Sequence, residues 1–180
     1  MSVINTLADV TRVHAQHRGD AQALHYADDG RAWTYAELDT QANIVANALL
    51  DAGVSPGERV AYLDKNSPEY FMFLFGGAKI NAISVAVNWR LAAPEMEYIL
   101  NHSEANVLLI GEEFLPALAE MQLTSMKTII VLGDPGATGY PTFDQWLVGH
   151  ADNDPHVPIA PEDTCYQSVS YTHLRAHETL

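Results

Sequence analysis

Two histidines near the C-terminal end, His173 and His177, stand four residues apart, a spacing that places two metal ligands on one face of a helix. Leu174 rather than Glu follows His173, so the H-E-x-x-H arrangement is not formed and no metal site is expected. Gly133-Asp-Pro-Gly-Ala-Thr-Gly139 follows an apolar run and has the glycine content of a phosphate cradle. It lacks the Gly-Lys-Ser/Thr ending, and Pro141 with a short aromatic stretch stands where the phosphate-binding helix would begin. A surface loop is the expectation there. Cys165 has no His or Lys beside it in sequence to stabilise a thiolate, so a buried structural cysteine is expected. Arg90 closes a strand-like run and carries a planar fork of donors that suits a phosphate. Two roles stay open for it: contact with a ligand, or pairing with a carboxylate such as Glu95 that holds the loop. Asn88, two residues before it, reads as a turn former.

Those residues need a scaffold, and 180 residues can bury one sizeable core. Hydrophobic residues at 48% and charged residues at 18% belong to an ordinary globular chain. The net charge of −14 argues for solubility and against nucleic acid as a partner, because no basic stripe is present. A single cysteine excludes an intrachain disulfide and fits a reducing compartment. The first twenty residues mix Asp, Arg and His with apolar residues, unlike a signal peptide. The longest apolar run, Tyr70 to Ala78, is too short for a transmembrane segment. A soluble, cytoplasmic protein is therefore expected.

Ile4, Leu7, Val10 and Val13 recur at three-residue steps and predict an opening amphipathic helix. Ala23–Ala27 and Arg31–Trp33 flank Asp28-Asp29-Gly30 as two short strands about a turn. Thr34 and Glu37 form a capping box ahead of Leu38, Ala42, Val45, Ala46 and Leu49, and Gly53 supplies the left-handed stop. Arg59–Leu63 is an apolar strand. Ser67-Pro68-Glu69 then caps a helix that is apolar on nearly every side and is expected to be almost fully buried. Gly76-Gly77 within it permits close packing against a neighbour. Strands are predicted at Ile83–Val87, Asn106–Ile110 and Thr128–Leu132, with helices at Pro94–Asn101, Phe114–Met121 and Tyr140–Val148. Continuous apolar strands alternating with helices predict an α/β fold: a doubly wound, mostly parallel sheet with helices on both faces. From Gly149 to Asp163 the chain turns acidic and proline-punctuated, as a surface linker does.

Several of these segments resemble the N-terminal part of the adenylate-forming superfamily, which contains acyl-CoA synthetases, luciferases and peptide-synthetase adenylation domains. Trp33-Thr-Tyr-Ala-Glu-Leu38 is similar to its T-Y-x-E-L box, and Gly53-Val-Ser-Pro-Gly-Glu-Arg-Val60 to its G-x-x-x-G-D-R-V turn and strand. Ser67-Pro-Glu-Tyr70 looks like its helix start. Gly77 to Leu91, ending Asn88-Trp-Arg-Leu91, resembles G-x-x-k-x-G-A-v-x-v-P-x-N-x-R-L. Asn81 stands where Gly is usual, a substitution that the left-handed tolerance of Asn makes neutral. Ala86 replaces a Pro and loosens a strand end slightly.

The resemblance implies an enzyme that uses ATP with Mg2+ to activate a carboxylic acid, with a fatty acid favoured, and then passes the acyl group to CoA. It implies a CoA phosphate contact for Arg90, and it places the phosphate loop, the adenine pocket, the Mg-binding Glu and the C-terminal Lys after Gln167. No catalytic residue is therefore expected in this chain. The Phe71–Phe75 cluster reads as core rather than as an acyl pocket. Residues 1–167 are expected to be the N-terminal part of the ligase domain. Ser168 to Leu180 contains no glycine where a Ser/Thr/Gly-rich loop would follow, and it is expected to be a non-native tail. Such a portion would be inactive alone, would bind none of ATP, Mg2+ or CoA well, and would be prone to aggregation through an exposed apolar face. An aryl-CoA ligase, an amino-acid adenylation domain, or a non-catalytic α/β binding module are the alternatives.

Overall fold

The computed structural model describes residues 3–168, which divide into two units. His173 and His177, and the tail from residue 169 on, lie outside the described residues.

The first unit holds, of the described residues, 3–57, 66–83 and 147–165. It contains α1 (Leu7–Arg18), a hairpin of β1 (Gln22–His25) and β2 (Ala32–Thr34), and α2 (Tyr35–Asp51). Thr6 caps α1 in a capping box with Asp9, so the helix begins after Ile4, which is left 44% exposed. Ala8 and Thr11 are the buried residues of this helix, and the predicted stripe starting at Ile4 is corrected accordingly. Thr34 and Glu37 form the expected box on α2, and Gly53 follows it at φ +82. After the segment between, Ser67 caps α3 of this unit, with Pro68 in its first turn.

The helix α3 spans Pro68–Lys79. Met72, Phe73 and the stretch from Gly76 to Lys79 are buried, while Phe71, Leu74 and Phe75 are half-buried, so no residue of the helix is exposed and its burial is close to that expected. Gly76 lets α3 approach α2: a Cβ there would stand 2.5 Å from Val45 Cγ1. Asn81, after the helix, sits at φ 59 as its tolerance for the left-handed region allows.

A buried ion network closes this unit. Lys79 is fully buried, with its Nζ 2.8 Å from Asp39 Oδ1 and 2.9 Å from Asp154 Oδ2. Arg12 donates to both oxygens of Asp154, at 2.6 and 2.9 Å. Burial pushes the Asp154 carboxyl up, but hydrogen bonds from Arg12, Lys79 and the His156 N–H outweigh it and hold the group well below the usual carboxylate range. The expected linker is thus a docked strap. Asn43 Nδ2 donates to the Asp152 carbonyl, and Asn47 Nδ2 to those of Ala151 and Asn153.

The second unit holds, of the described residues, 58–65, 84–146 and 166–168. Its sheet comprises β3 (Arg59–Leu63), β4 (Ile83–Ala86), β5 (Val107–Gly111), β6 (Thr128–Leu132) and β7 (Tyr166–Ser168), in the order β6-β5-β3-β4-β7. The registers Val60↔Val107, Val107↔Thr128 and Ser84↔Tyr166 are all parallel. The chain steps from β3 to one side for β4 and to the other for β5 and β6. That reversal is the doubly wound α/β order expected.

Met96, Ile99 and Leu100 of α4 (Ala93–Ser103) point into a core with Leu63, Val85, Leu108 and Ile110. The predicted helix at Phe114–Met121 shrinks to a 3-10 turn at Glu112–Phe114 and the single-turn α5 (Leu115–Leu118). Pro116 has no N–H to donate, and nothing caps the turn with a side chain. The last helix, α6, keeps only Phe143–Leu147, because Thr142 and Gln145 exchange capping bonds just ahead of it.

Candidate functional site

In a doubly wound sheet, ligands approach the carboxyl ends of the strands. At that edge β3 runs into Asp64 and Lys65, β4 into Asn88, Trp89 and Arg90, and β5 into Glu112 and Glu113. The hydroxyl of Tyr62 donates to the Lys65 carbonyl at 2.6 Å, and the Lys65 N–H donates to Asp64 Oδ1 at 2.7 Å. Gly111 makes room for that Asp64 carboxylate, since a Cβ on it would lie 2.4 Å from Asp64 Cγ.

Asn88 is the turn former expected. Its Oδ1 accepts from the Arg90 N–H at 3.0 Å, and its carbonyl accepts from the Leu91 N–H at 3.2 Å. This turn directs Arg90 outward, and the guanidinium lies over the Trp89 ring, 4.1 Å from its centroid. The alternative pairing with Glu95 is not formed. Glu95 accepts from the Ala92 N–H at 2.8 Å and closes the start of α4, while Arg90 makes no ion pair with a described residue. Lys65 shares the ring: its Nζ is 5.4 Å from the Trp89 centroid and 2.7 Å from Glu113 Oε1. Both ends of that ion pair are about half exposed, at 53% and 47%.

The structure therefore brings Arg90 together with Lys65, Trp89 and Glu113, which sequence reading did not connect. Only the strand ends could have signalled it, because parallel neighbours finish their loops at one edge. The remaining candidates lie elsewhere. Gly133 to Gly139 forms an exposed loop with three glycines at positive φ, pinned where Asp134 N–H donates to the Glu112 carboxylate. Cys165 is exposed, which corrects the expected buried role: the strap leaves it outside the core just before the edge strand β7.

The sequence matches the family of AMP-binding enzymes over residues 11–172. The chain belongs to that family. Among curated relatives, the fatty acid–[acyl-carrier-protein] ligase ScoC of Streptomyces coeruleorubidus is 39% identical over 161 residues, covering 89% of the chain and 29% of the relative. The long-chain-fatty-acid–CoA ligase FadD13 of Mycobacterium tuberculosis is 40% identical over 144 residues, covering 77% and 27%. Among solved structures, the anthranilate CoA ligase AuaEII in complex with anthranoyl-AMP matches with a TM-score of 0.85 and 32% identity, over 92% of this chain and 32% of that one. The chain thus spans less than a third of the length of these proteins, all of them ligases that act on carboxylic acids.

Proposed function

We propose that this chain is the N-terminal portion of an ATP-dependent, AMP-forming carboxylic acid–CoA ligase that acts on fatty acids through an acyl-adenylate. The single observation that supports this most is the family match across residues 11–172, with two fatty-acid ligases near 40% identity among the relatives. The Asn88-Trp-Arg-Leu91 turn supports a part in CoA binding. It fixes a guanidinium, free of any ion pair with a described residue, at the ligand edge of the sheet. Arg90 is the residue that would hold a CoA phosphate, because its fork donates parallel hydrogen bonds to phosphate oxygens. CoA supplies the thiol that accepts the acyl group. What Arg90 contributes is position and charge, and not bond-making.

The same reading makes the 180-residue chain inactive by itself. Backbone amides must come close around a triphosphate, and no glycine follows Gly149 to allow it. A graft tests the proposal. Residues 1–167 replace the matching segment of the Mycobacterium tuberculosis fatty-acid ligase, and ATP–pyrophosphate exchange is followed with fatty and aryl acids. Exchange that depends on a fatty acid is expected. Exchange with aryl acids alone would move the substrate class, and a folded graft without exchange would refute the reading.

A further inference from the structure

The strap from Gly149 to Asp163 is tied to the first unit mainly by polar bonds. None of its residues is fully buried, so it covers little apolar surface. Its deepest anchor is Asp154. Arg12 of α1 grips that carboxylate with two donors, at 2.6 and 2.9 Å, and the fully buried Lys79 of α3 reaches the same group at 2.9 Å. The other ties come from α2, where Asn43 and Asn47 donate to the carbonyls of Asp152, Ala151 and Asn153. His156, whose N–H also donates to Asp154, sits at φ 52, a left-handed conformation unfavourable for a residue with a side chain.

The helices beneath do not depend on these ties. α2 and α3 meet at Val45 and Gly76, Lys79 keeps Asp39 at 2.8 Å, and Arg12 keeps Asp9 at 3.6 Å. A segment with few buried apolar contacts opens at a fraction of the global free energy. Once it lifts, water reaches both cations and each still has a carboxylate. Removing the Asp154 charge with the strap in place is a different case, because that site stays dry.

We propose that residues 149–163 form a latch that opens and closes as a unit over folded α1, α2 and α3, with Asp154 as its bolt in a receptor built by Arg12 and Lys79. The closed form hides the Lys79 ammonium. The open form exposes it and frees the chain that leads into β7. Asn47 acts on this equilibrium through the strap, since its amide donates to Ala151, Asn153 and the Asn43 carbonyl of its own helix.

The lysines of the chain, Lys65, Lys79 and Lys127, permit a direct test. The full chain is treated with the N-hydroxysuccinimide ester of acetic acid at mildly alkaline pH. Each lysine is followed by peptide mass spectrometry, over a urea series that ends below the unfolding midpoint. Lys127 is exposed and sets the rate of an accessible amine. Lys79 is expected to react about a hundred-fold more slowly, with a rate that rises only shallowly in urea, because lifting the strap exposes far less surface than unfolding does. Asn47→Ala should speed Lys79 about five-fold and leave Lys127 unchanged, since two ties to the strap are lost while the ion pairs of Lys79 stay intact. Asp154→Asn should speed it about a hundred-fold. If Asp154→Asn does not fold, Asn47→Ala decides alone. Reaction of Lys79 as fast as Lys127 in the unaltered chain would overturn the proposal, as would a urea slope equal to that of global unfolding. So would an unchanged Lys79 rate in Asn47→Ala, which would mean that the strap does not move as a unit.

Discussion

At the scale of single residues, Lys79 departs furthest from what its type suggests. A lysine is almost never fully buried without partners, and this one is held by Asp39 and Asp154. Removing one member strands the others: Asp154→Asn is expected to cost about 3 kcal/mol or more, read as a loss in urea midpoint, because breaking a buried pair leaves an uncompensated charge. Lys79→Met placed on that background should recover part of the loss, and no recovery would mean the network does not act as a unit. The pH dependence has a definite sign. The folded-state pKa of Asp154 is lowered, so its contribution is present above the ordinary carboxylate value and fades as the pH falls below about 4. Thermal melts at pH 7 and pH 3 should therefore differ more for the unaltered chain than for Asp154→Asn. By residue type Lys79 is visible only as a charge at the end of an apolar helix. Its partners lie 40 residues before it and 75 after it in the chain, beyond the reach of local periodicity. Cys165 misled for the opposite reason, since residue type favours burial and only the path of the strap exposes it.

At the scale of elements, local chemistry was legible wherever a cap or a glycine carries it. The Thr34–Glu37 box, the Ser67 cap and the positive φ at Gly53 all stand where the residues imply. Thr34→Ala should cost about 1 kcal/mol, measured by denaturant unfolding, because one N–H of α2 loses its acceptor. Gly76→Ala should cost about 1–3 kcal/mol, since the added methyl meets Val45 and neither helix can withdraw without opening the core. Elements without such markers were misjudged in length. Apolar spacing from Phe114 to Met121 suggested a full helix, but Pro116 and the lack of a side-chain cap leave one turn. The edge cluster of Lys65, Trp89 and Glu113 was invisible for a related reason: register brings it together, and no single segment contains it.

At the scale of the whole molecule, the doubly wound order and the family follow from ordered segments spread along most of the chain, and the structure and the family match agree on both. The proposed inactivity of the chain rests on the residues after Gln167, where the sequence carries no glycine for a phosphate loop. ATP–pyrophosphate exchange by the purified 180-residue chain, supplied with Mg2+ and a panel of fatty and aryl acids, tests this most directly. No exchange above background is expected with any acid, alongside fatty-acid-dependent exchange from the grafted enzyme under the same conditions. Acid-dependent exchange by the chain alone would contradict it.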